Sequence, residues 1–110
     1  MARKHQDFEM WDGNGIELPF DVALDLTRYI GSWVAVDMLD ASTTPKTVVK
    51  SASVGTYDAT TGVTRVTVTI APADFDGAPS TYHHELAVTF GGVPLTVAAG
   101  SLYVHESVVS

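Results

Sequence analysis

A chain of 110 residues is long enough for one domain with one core, and without cysteine it can hold neither a disulfide nor a thiolate metal site. Its net charge of −7 argues against a nucleic-acid partner, because phosphate binding requires clustered lysine and arginine. No apolar run approaches the ~20 residues of a membrane-spanning helix, so we expect no membrane partner either.

Charged residues make up only 17% of the chain, against an average of about 25% in soluble domains, while apolar residues make up 45%. The surface must therefore be covered by Thr, Ser, Ala and Val. Such a neutral surface suits repeated protein–protein contact, although exposed strand faces favour Thr in any case. Acidic residues crowd 7–40, where Arg28 is the one base, and form either a solvated face or a surface that attracts a basic partner.

Residues 1–6 form a short basic tail that we expect to be flexible, with the single domain spanning 7–110. No apolar stretch follows this tail, so no secretory signal is expected. Strict alternation of apolar residues from Ile16 to Leu26 predicts an extended strand with one dry face. Similar patterns predict seven strands and no helix, at 7–11, 16–25, 30–39, 46–57, 63–70, 81–90 and 94–104.

Three of these strands carry specific expectations. The weakly patterned 46–57 is interpreted as one or two edge strands on which Lys46 and Lys50 prevent further pairing. In 94–104 the inward parity changes, since Leu95 and Val97 are odd but Leu102 and Val104 are even, so we expect a bulge at Ala99-Gly100. The alternation in 81–90 predicts exposed His83 and Glu85 and a buried set of Tyr82, His84, Leu86, Val88 and Phe90.

Turn signals separate the strands. They are Asp-Gly-Asn-Gly at 12–15, the loop 40–45, Asp58 to Gly62, a corner at 72–79 and the pair Gly91-Gly92, which is typical of a primed hairpin turn. Short strands with turns at this spacing predict an all-β, immunoglobulin-like antiparallel β-sandwich of about seven strands. Tyr82 opens the sixth strand, where that fold places a tyrosine corner, and His84 stands where antibody domains have their second disulfide cysteine.

Sites for chemistry are scarce in the sequence. His83 and His84 point to opposite faces of a strand, and a ligand trio of His83, Glu85 and His105 needs one particular register of the last two strands. The segment 12–15 lacks the later acidic ligands of a calcium loop, and no G-x-S-x-G motif is present. We therefore assign no catalytic, cofactor-binding or metal-binding residues and no cofactor.

The aromatic and large apolar residues allow two interpretations. Trp11, Trp33 and the tyrosines could form a sugar-stacking face, but packing in a core or an interface is their commoner use. Phe8, Met10 and Trp11 follow directly after the tail and could cover a neighbouring subunit, or Phe8 and Met10 could complete the inner face of the first strand. Trp11 breaks their parity and should point outward. The interface candidates are Phe8, Met10, Trp11 and Trp33.

Several sequence motifs resemble those of small immunoglobulin-like proteins of tailed bacteriophages, such as the N-terminal domain of the baseplate upper protein. Asp-Leu-Thr at 25–27, followed by Tyr-Ile-Gly-Ser-Trp at 29–33, is similar to their Asp-Leu-Thr-Gly pattern before a strand with a large residue. The turn and strand from Asp58 to Ile70, followed by Pro-Ala-Asp at 72–74, resemble their turn and strand before a Pro-x-Asp corner. Thr-Tyr-His-His-Glu-Leu-Ala-Val-Thr at 81–89 and Thr-Val-Ala-Ala-Gly-Ser-Leu-Tyr-Val at 96–104 resemble their last two strands.

The resemblance departs from the family at two turns, where Arg28 and Ser80 stand in place of Gly. It implies a non-enzymatic structural protein of the virion, a capsid-surface accessory or a baseplate or tail component, assembled in the bacterial host cytoplasm. The partners it implies are copies of the chain itself and other phage structural proteins. The alternative is a β-sandwich module that binds carbohydrate or a host surface, and an enzyme ranks last.

Overall fold

The computed structural model describes residues 4–106, which contain β-strands and no helix. Residues 1–3 of the predicted tail and residues 107–110 lie outside the described residues. No helix that could cross a membrane occurs in 4–106. The strands are β1 (Lys4–His5), β2 (Phe8–Trp11), β3 (Ile16–Val22), β4 (Ile30–Asp37), β5 (Thr47–Asp58), β6 (Val63–Ile70), β7 (Ser80–Phe90) and β8 (Val93–His105).

The strands form one continuous sheet that folds over at β5. Its order is β1-β8-β7-β4-β5-β6-β3, and β2 pairs with the same edge of β8 as β1. The first part of β5, up to Ala52, pairs with β4, and the part from Ala52 onward pairs with β6. The large layer therefore contains β1, β2, β8, β7, β4 and the start of β5. The small layer contains the rest of β5, β6 and β3.

This arrangement is an immunoglobulin-like antiparallel β-sandwich, as predicted. β4, β7 and β8 lie side by side like strands C, F and G of that fold, and β3 pairs with β6 as B pairs with E. Trp33 on β4 is fully buried, as the Trp of strand C is. The Tyr82 hydroxyl donates to the Ala78 carbonyl at 2.9 Å, which completes the predicted tyrosine corner.

The core is built from alternating residues, as the period of two predicts. Leu18, Phe20 and Val22 of β3 are buried, and so are Val66 and its alternate neighbours on β6. β3 ends at Val22 rather than at 25. The cause is a buried threonine: the Thr64 hydroxyl donates to the Leu24 carbonyl at 2.7 Å and accepts from the Leu26 N–H at 3.2 Å, so the chain curls around it.

Part of the predicted flexible tail is ordered strand. Lys4 and His5 pair in parallel with Ala98 and Ala99, and the Gln6 N–H donates to the Ala99 carbonyl at 2.9 Å. The tail prediction was wrong for residues 4–6 because the edge of β8 offers their backbone groups partners from the far end of the sequence.

Two predictions about strand geometry need correction. The stretch 46–57 is one strand that belongs to both layers, although its start has a free edge as expected. It changes register between Val54 and Tyr57, where the sheet folds over. The bulge in β8 falls at Val97 rather than at Ala99-Gly100, since Leu86 lies opposite Ala98 and Ala87 lies opposite Thr96.

The end of the β7–β8 hairpin differs from the prediction. His84, Leu86 and Val88 are buried, His83 is exposed and Glu85 is half-exposed. Gly91 and Gly92 both have positive φ, as the primed turn requires.

Phe90 is 51% exposed, so its predicted burial was wrong. β4 begins at Ile30, opposite Thr89, and Phe90 therefore extends past the end of its neighbour. Leu95 was also predicted inward and is exposed. It lies on a stretch of β8 that no described strand covers on the outer edge, since β1 reaches only Ala98.

Candidate interaction surface

Among residues 4–106, the exposed large apolar side chains come from one layer of the sandwich. They lie on strands of the large layer or directly after β4, and none comes from β3 or β6. They are Trp11, Ile30, Met38, Leu39, Val49, Phe90, Val93, Leu95 and Tyr103. Exposed apolar side chains that cluster in this way mark surfaces suited to contact with another macromolecule.

Three of these side chains gather at one corner of the large layer, which we call the Trp11 corner (Trp11, Tyr103 and Met38). Tyr103 pairs with Thr81, and the Met38 N–H donates to the Thr81 carbonyl at 2.9 Å. Trp11 on β2 pairs with His105, two residues along β8 from Tyr103. All three point away from the core, and neighbouring strands lie about 4.8 Å apart, so the corner spans roughly 15 Å.

Trp11 points outward, as predicted, and is 47% exposed. Its ring lies 5.2 Å from the His105 ring, and His105 in turn hydrogen-bonds the Glu9 carboxylate at 3.1 Å. The indole therefore has support on one face and is open on the other. A large aromatic ring held in this way can enter an interface with little loss of conformational entropy.

Next to this corner, the outer face of β4 and the start of β5 carries no charged side chain. Val34 lies opposite Val49, with Ser32 and Ser51 on one side and Val36 and Thr47 on the other. The neutral surface that the low charge content predicts is therefore found on this face. Together with the Trp11 corner, this uncharged stripe forms the candidate interaction surface.

The small layer has the opposite character. Glu17 and Asp21 project outward from β3, and Arg65 on β6 binds Asp21 through two hydrogen bonds of 2.8 and 3.2 Å. The hydrogen bonds from Arg65 hold the pKa of the Asp21 carboxyl below its usual value. These charges lie on the opposite side of the sandwich from the uncharged stripe, and the charged groups of the large layer's outer face, such as Glu9 and Glu85, lie on β2 and β7.

Three of the predicted interface residues belong to the core. Trp33 is completely buried, Met10 is 2% exposed, and half-buried Phe8 packs edge-on against Phe20 with 5.3 Å between ring centroids. Trp33 and Met10 were therefore wrong as surface candidates, because the inward parity of β4 and β2 turns both toward the small layer. Contact of Trp11 with a partner stays a prediction. Tyr103 and Met38 were missed, although Tyr103 alternates with buried Leu102 and Val104, which indicates that it points outward.

Trp33 lies where antibody domains have their core tryptophan, and His84 lies where they have the second disulfide cysteine. The Trp33 Nε1–H donates to His84 Nδ1 at 3.1 Å, so His84 Nε2 carries the proton and donates to the Gln6 carbonyl at 2.7 Å. The His84 ring lies 5.9 Å from that of Phe20 across the layers. Burial lowers the pKa of His84, which keeps the ring neutral in this network.

The Tyr82 side chain, like that of His84, is fully buried. Its ring packs edge-on against Phe75, with 4.8 Å between centroids. Burial raises the pKa of Tyr82 to about 12, so its hydroxyl remains a donor to Ala78. Phe75, in the 72–79 corner, is a core residue that the sequence pattern did not predict.

The possible ligand sets do not come together. His83 Nε2 lies 3.9 Å from Glu85 Oε1. His105 instead contacts Glu9, and the residue of β8 opposite His83 is Ser101, so the predicted trio of His83, Glu85 and His105 does not form. Among residues 4–106, no three His, Cys, Asp or Glu side chains are arranged to hold a metal ion. The Asp-Gly-Asn-Gly segment at 12–15 is a turn, with positive φ at Gly13.

A shallow cleft of about 370 Å³ opens at the end of the molecule beside Phe90. The Tyr29 and Phe90 rings pack on each other at 5.4 Å, and Asp25, Thr27 and Arg28 complete the lining. Asp25 accepts hydrogen bonds from Thr27, so its carboxylate already has a role in the turn. The cleft offers two aromatic rings with polar neighbours but no catalytic pair.

Comparisons with known proteins place few constraints on this chain. No protein-family model matches it, and a search of curated proteins finds no match. Among solved structures, one similar chain comes from a study of multimeric cell-adhesive interactions of VGSC beta subunits. It shares 9% identity and a TM-score of 0.47, covering 97% of this chain and 95% of that one. The fold assignment rests on the strand pairing described above.

Proposed function

We propose that this domain is a non-enzymatic structural protein of a tailed-phage virion. It acts by protein–protein docking, as a capsid-surface accessory or a baseplate or tail component. The observation that carries the proposal is that, in the described part of the chain, the exposed large apolar side chains are confined to the large layer and the loop after β4. A domain whose exposed large apolar side chains are concentrated in one layer suits a fixed place in an assembly.

The chemistry of the Trp11 corner supports docking on protein rather than on nucleic acid. Trp, Tyr and Met are enriched in the centres of protein interfaces, where charged residues are depleted. The net charge of −7 disfavours contact with phosphates, and the uncharged stripe on β4 and β5 places no carboxylate against an acidic partner. The partners that fit are copies of this chain and other structural proteins of the particle.

The assignment to a phage rests on the sequence resemblance at 25–33, 58–74, 81–89 and 96–104. Its motifs fall on the β3–β4 connection, β6, the tyrosine corner and the last two strands. The last two strands belong to the large layer, and Tyr103 of the Trp11 corner lies within the resemblance. The location that follows is the virion, with assembly in the cytoplasm of the bacterial host.

The proposal is tested on particles from the source of the gene. Mass spectrometry of purified virions should detect the chain in many copies. Complementation with Trp11→Ser plus Met38→Ser should abolish its incorporation, because both side chains leave the Trp11 corner. The matched control is Thr69→Ser plus Glu17→Gln on the small layer, which should be incorporated normally. Virions without the wild-type chain, or equal incorporation of both variants, would refute the proposal.

The second candidate is a module that binds carbohydrate or a host surface. The Tyr29–Phe90 pair beside the cleft favours it, because sugar rings stack on exposed aromatic faces. A glycan array with the wild-type protein and Phe90→Ala separates the two functions. Binding that the substitution removes would support a glycan role, and no binding by the wild-type protein would count against one.

A further inference from the structure

Free strand edges are sites at which another chain can add a strand, and proteins protect them with prolines, bulges or charges. Several edges of this sandwich have no described strand partner. They belong to β3, to β1 and β2, to the start of β8, and to the two halves of β5. What protects each edge differs, and this difference identifies one of them as a docking site.

Two edges are protected by proline and charge or by a break in the strand. β3 carries Pro19 in its middle, which removes a backbone donor, and Glu17 and Asp21 project from its outer face. The edge formed by β1 and β2 is interrupted at Asp7, whose carboxylate accepts from the Ser101 N–H at 2.8 Å. Neither edge presents a regular row of backbone groups.

Two further edges are protected by irregular backbone. The start of β8 contains Pro94 and the bulge at Val97. The second half of β5 contains the register shift between Val54 and Tyr57. A bulge twists a strand and disrupts the spacing that a partner strand would need.

The edge of Thr47–Ser51 has none of these features. It contains no proline and its pairing with β4 is regular throughout. Its one charged residue, Lys50, lies on the inner side and is bound to Asp74 at 3.0 Å. Of the two lysines that the sequence offered as protection of this edge, Lys50 is therefore held by the 72–79 corner, and Lys46 lies just before the edge begins. Val49, at the centre of the edge, is 66% exposed.

We propose that this edge pairs antiparallel with the same edge of a second copy of the chain. The two large layers then form one continuous sheet across a two-fold axis near Val49. In this arrangement Val49 meets its own counterpart, and Thr47 meets Ser51 of the second copy. Backbone hydrogen bonds between the two edges supply the contact, and the apolar stripe of Val34 and Val49 continues from one copy to the other.

Charge favours a second copy over an unrelated strand. Two chains of charge −7 repel, so self-association requires a surface on which no carboxylates meet. The outer residues Thr47, Val49 and Ser51 are uncharged, and two-fold pairing sets each against an uncharged residue. Lys50 and Asp74 compensate each other within each copy. The edge is thus complementary to itself, as a two-fold interface must be.

The first test is sedimentation equilibrium of the purified chain at high micromolar concentration. We expect a dimer whose dissociation constant rises at least about tenfold in Val49→Lys, because two lysines are then brought opposite each other. Thr67→Lys is the matched control, since it places the same charge on the outer face of the small layer at a position with a paired strand on each side. A monomeric wild type, or a dimer that Val49→Lys leaves unchanged, overturns the proposal.

The second test uses the absence of cysteine from the chain. Val49→Cys should oxidise to a covalent dimer, because paired residues at a two-fold axis bring their Cβ atoms within about 5.5 Å. An equimolar mixture of Thr47→Cys and Ser51→Cys should give the mixed dimer in excess over either homodimer. Absence of both cross-links would overturn the proposal even if Val49→Lys failed to fold. Both tests use the isolated chain, so they are independent of the virion assignment.

Discussion

At the scale of single residues, His84 occupies the position of a disulfide cysteine of antibody domains and connects several elements of the core. It joins β7 to Trp33 on β4 through one ring nitrogen and to the Gln6 carbonyl through the other. Phe20 lies against it from the small layer. Hydrogen bonds and ring packing thus link the layers and the N-terminal strand at one buried point, in a chain that has no cysteine.

This network predicts a pH dependence of stability. Burial lowers the pKa of His84 below its usual value of 6.5, so the unfolded chain binds a proton that the folded chain excludes. The free energy of unfolding should therefore be constant above about pH 7 and decrease as the pH falls below about 6.5.

Urea unfolding between about pH 5 and pH 8 measures this effect above the range in which carboxylates titrate. His84→Gln should remove the slope, and His83→Gln, on the exposed side of the same strand, should retain it. An equal slope in wild type and His84→Gln would show that another group is responsible.

Phe90 gives a second prediction at this scale. Its ring is half-exposed and packs on Tyr29, so Phe90→Ala should cost no more than about 1 kcal/mol. Leu86→Ala, at a fully buried position on the same strand, should cost about 2–5 kcal/mol. Chemical denaturation of both variants measures the difference, and equal losses would place Phe90 in the core.

At the scale of elements, the N-terminal segment depends on one glycine in β8. A Cβ on Gly100 would lie 2.1 Å from the Gln6 carbonyl oxygen and 2.8 Å from the Asp7 carboxylate. The close approach lets the Gln6 carbonyl reach His84 and lets Asp7 bind the Ser101 N–H. β1 and β2 are thereby fixed on β8, with Met10 in the core.

Gly100→Ala should therefore displace β1 and β2 and cost about 3 kcal/mol, because the contact is with backbone and cannot relax through a side chain. Hydrogen exchange should show faster exchange at the amides of Gln6 and Asp12, which bond to β8. The control is Gly92→Ala, which meets open space and should cost about 1 kcal/mol for its positive φ alone. Unchanged exchange at Gln6 in Gly100→Ala would contradict this role.

The sequence predicts those elements whose burial follows from local alternation. The inward faces of β3, β6 and β7 are correct because each strand packs one face on the core along most of its length. Pairing between distant segments leaves no local pattern, and for this reason β1 and the fold-over of β5 were not predicted. Of the interface candidates, Trp11 was correctly placed outward because its parity differs from that of Met10.

At the scale of the whole molecule, two unlike faces lie back to back. The large layer carries the Trp11 corner and the uncharged stripe, and the small layer carries Glu17, Asp21 and Arg65. A free monomer gains nothing from collecting its exposed apolar side chains on one side. The concentration of these side chains in the large layer fits a domain whose small layer is solvated and whose Trp11 corner and uncharged stripe are covered, and it is the basis of the proposed docking role.

Hydroxyl-radical footprinting, read by mass spectrometry, tests this account most directly, since tryptophan, methionine and tyrosine side chains report their own exposure. The free protein and the protein assembled in purified particles are compared at Trp11, Met38 and Tyr103, with Pro19 on the small layer as the internal reference. We predict that the three residues of the Trp11 corner are oxidised in the free protein and protected in the particle, while Pro19 is unchanged. Protection at Pro19 with continued oxidation of the Trp11 corner would contradict the account.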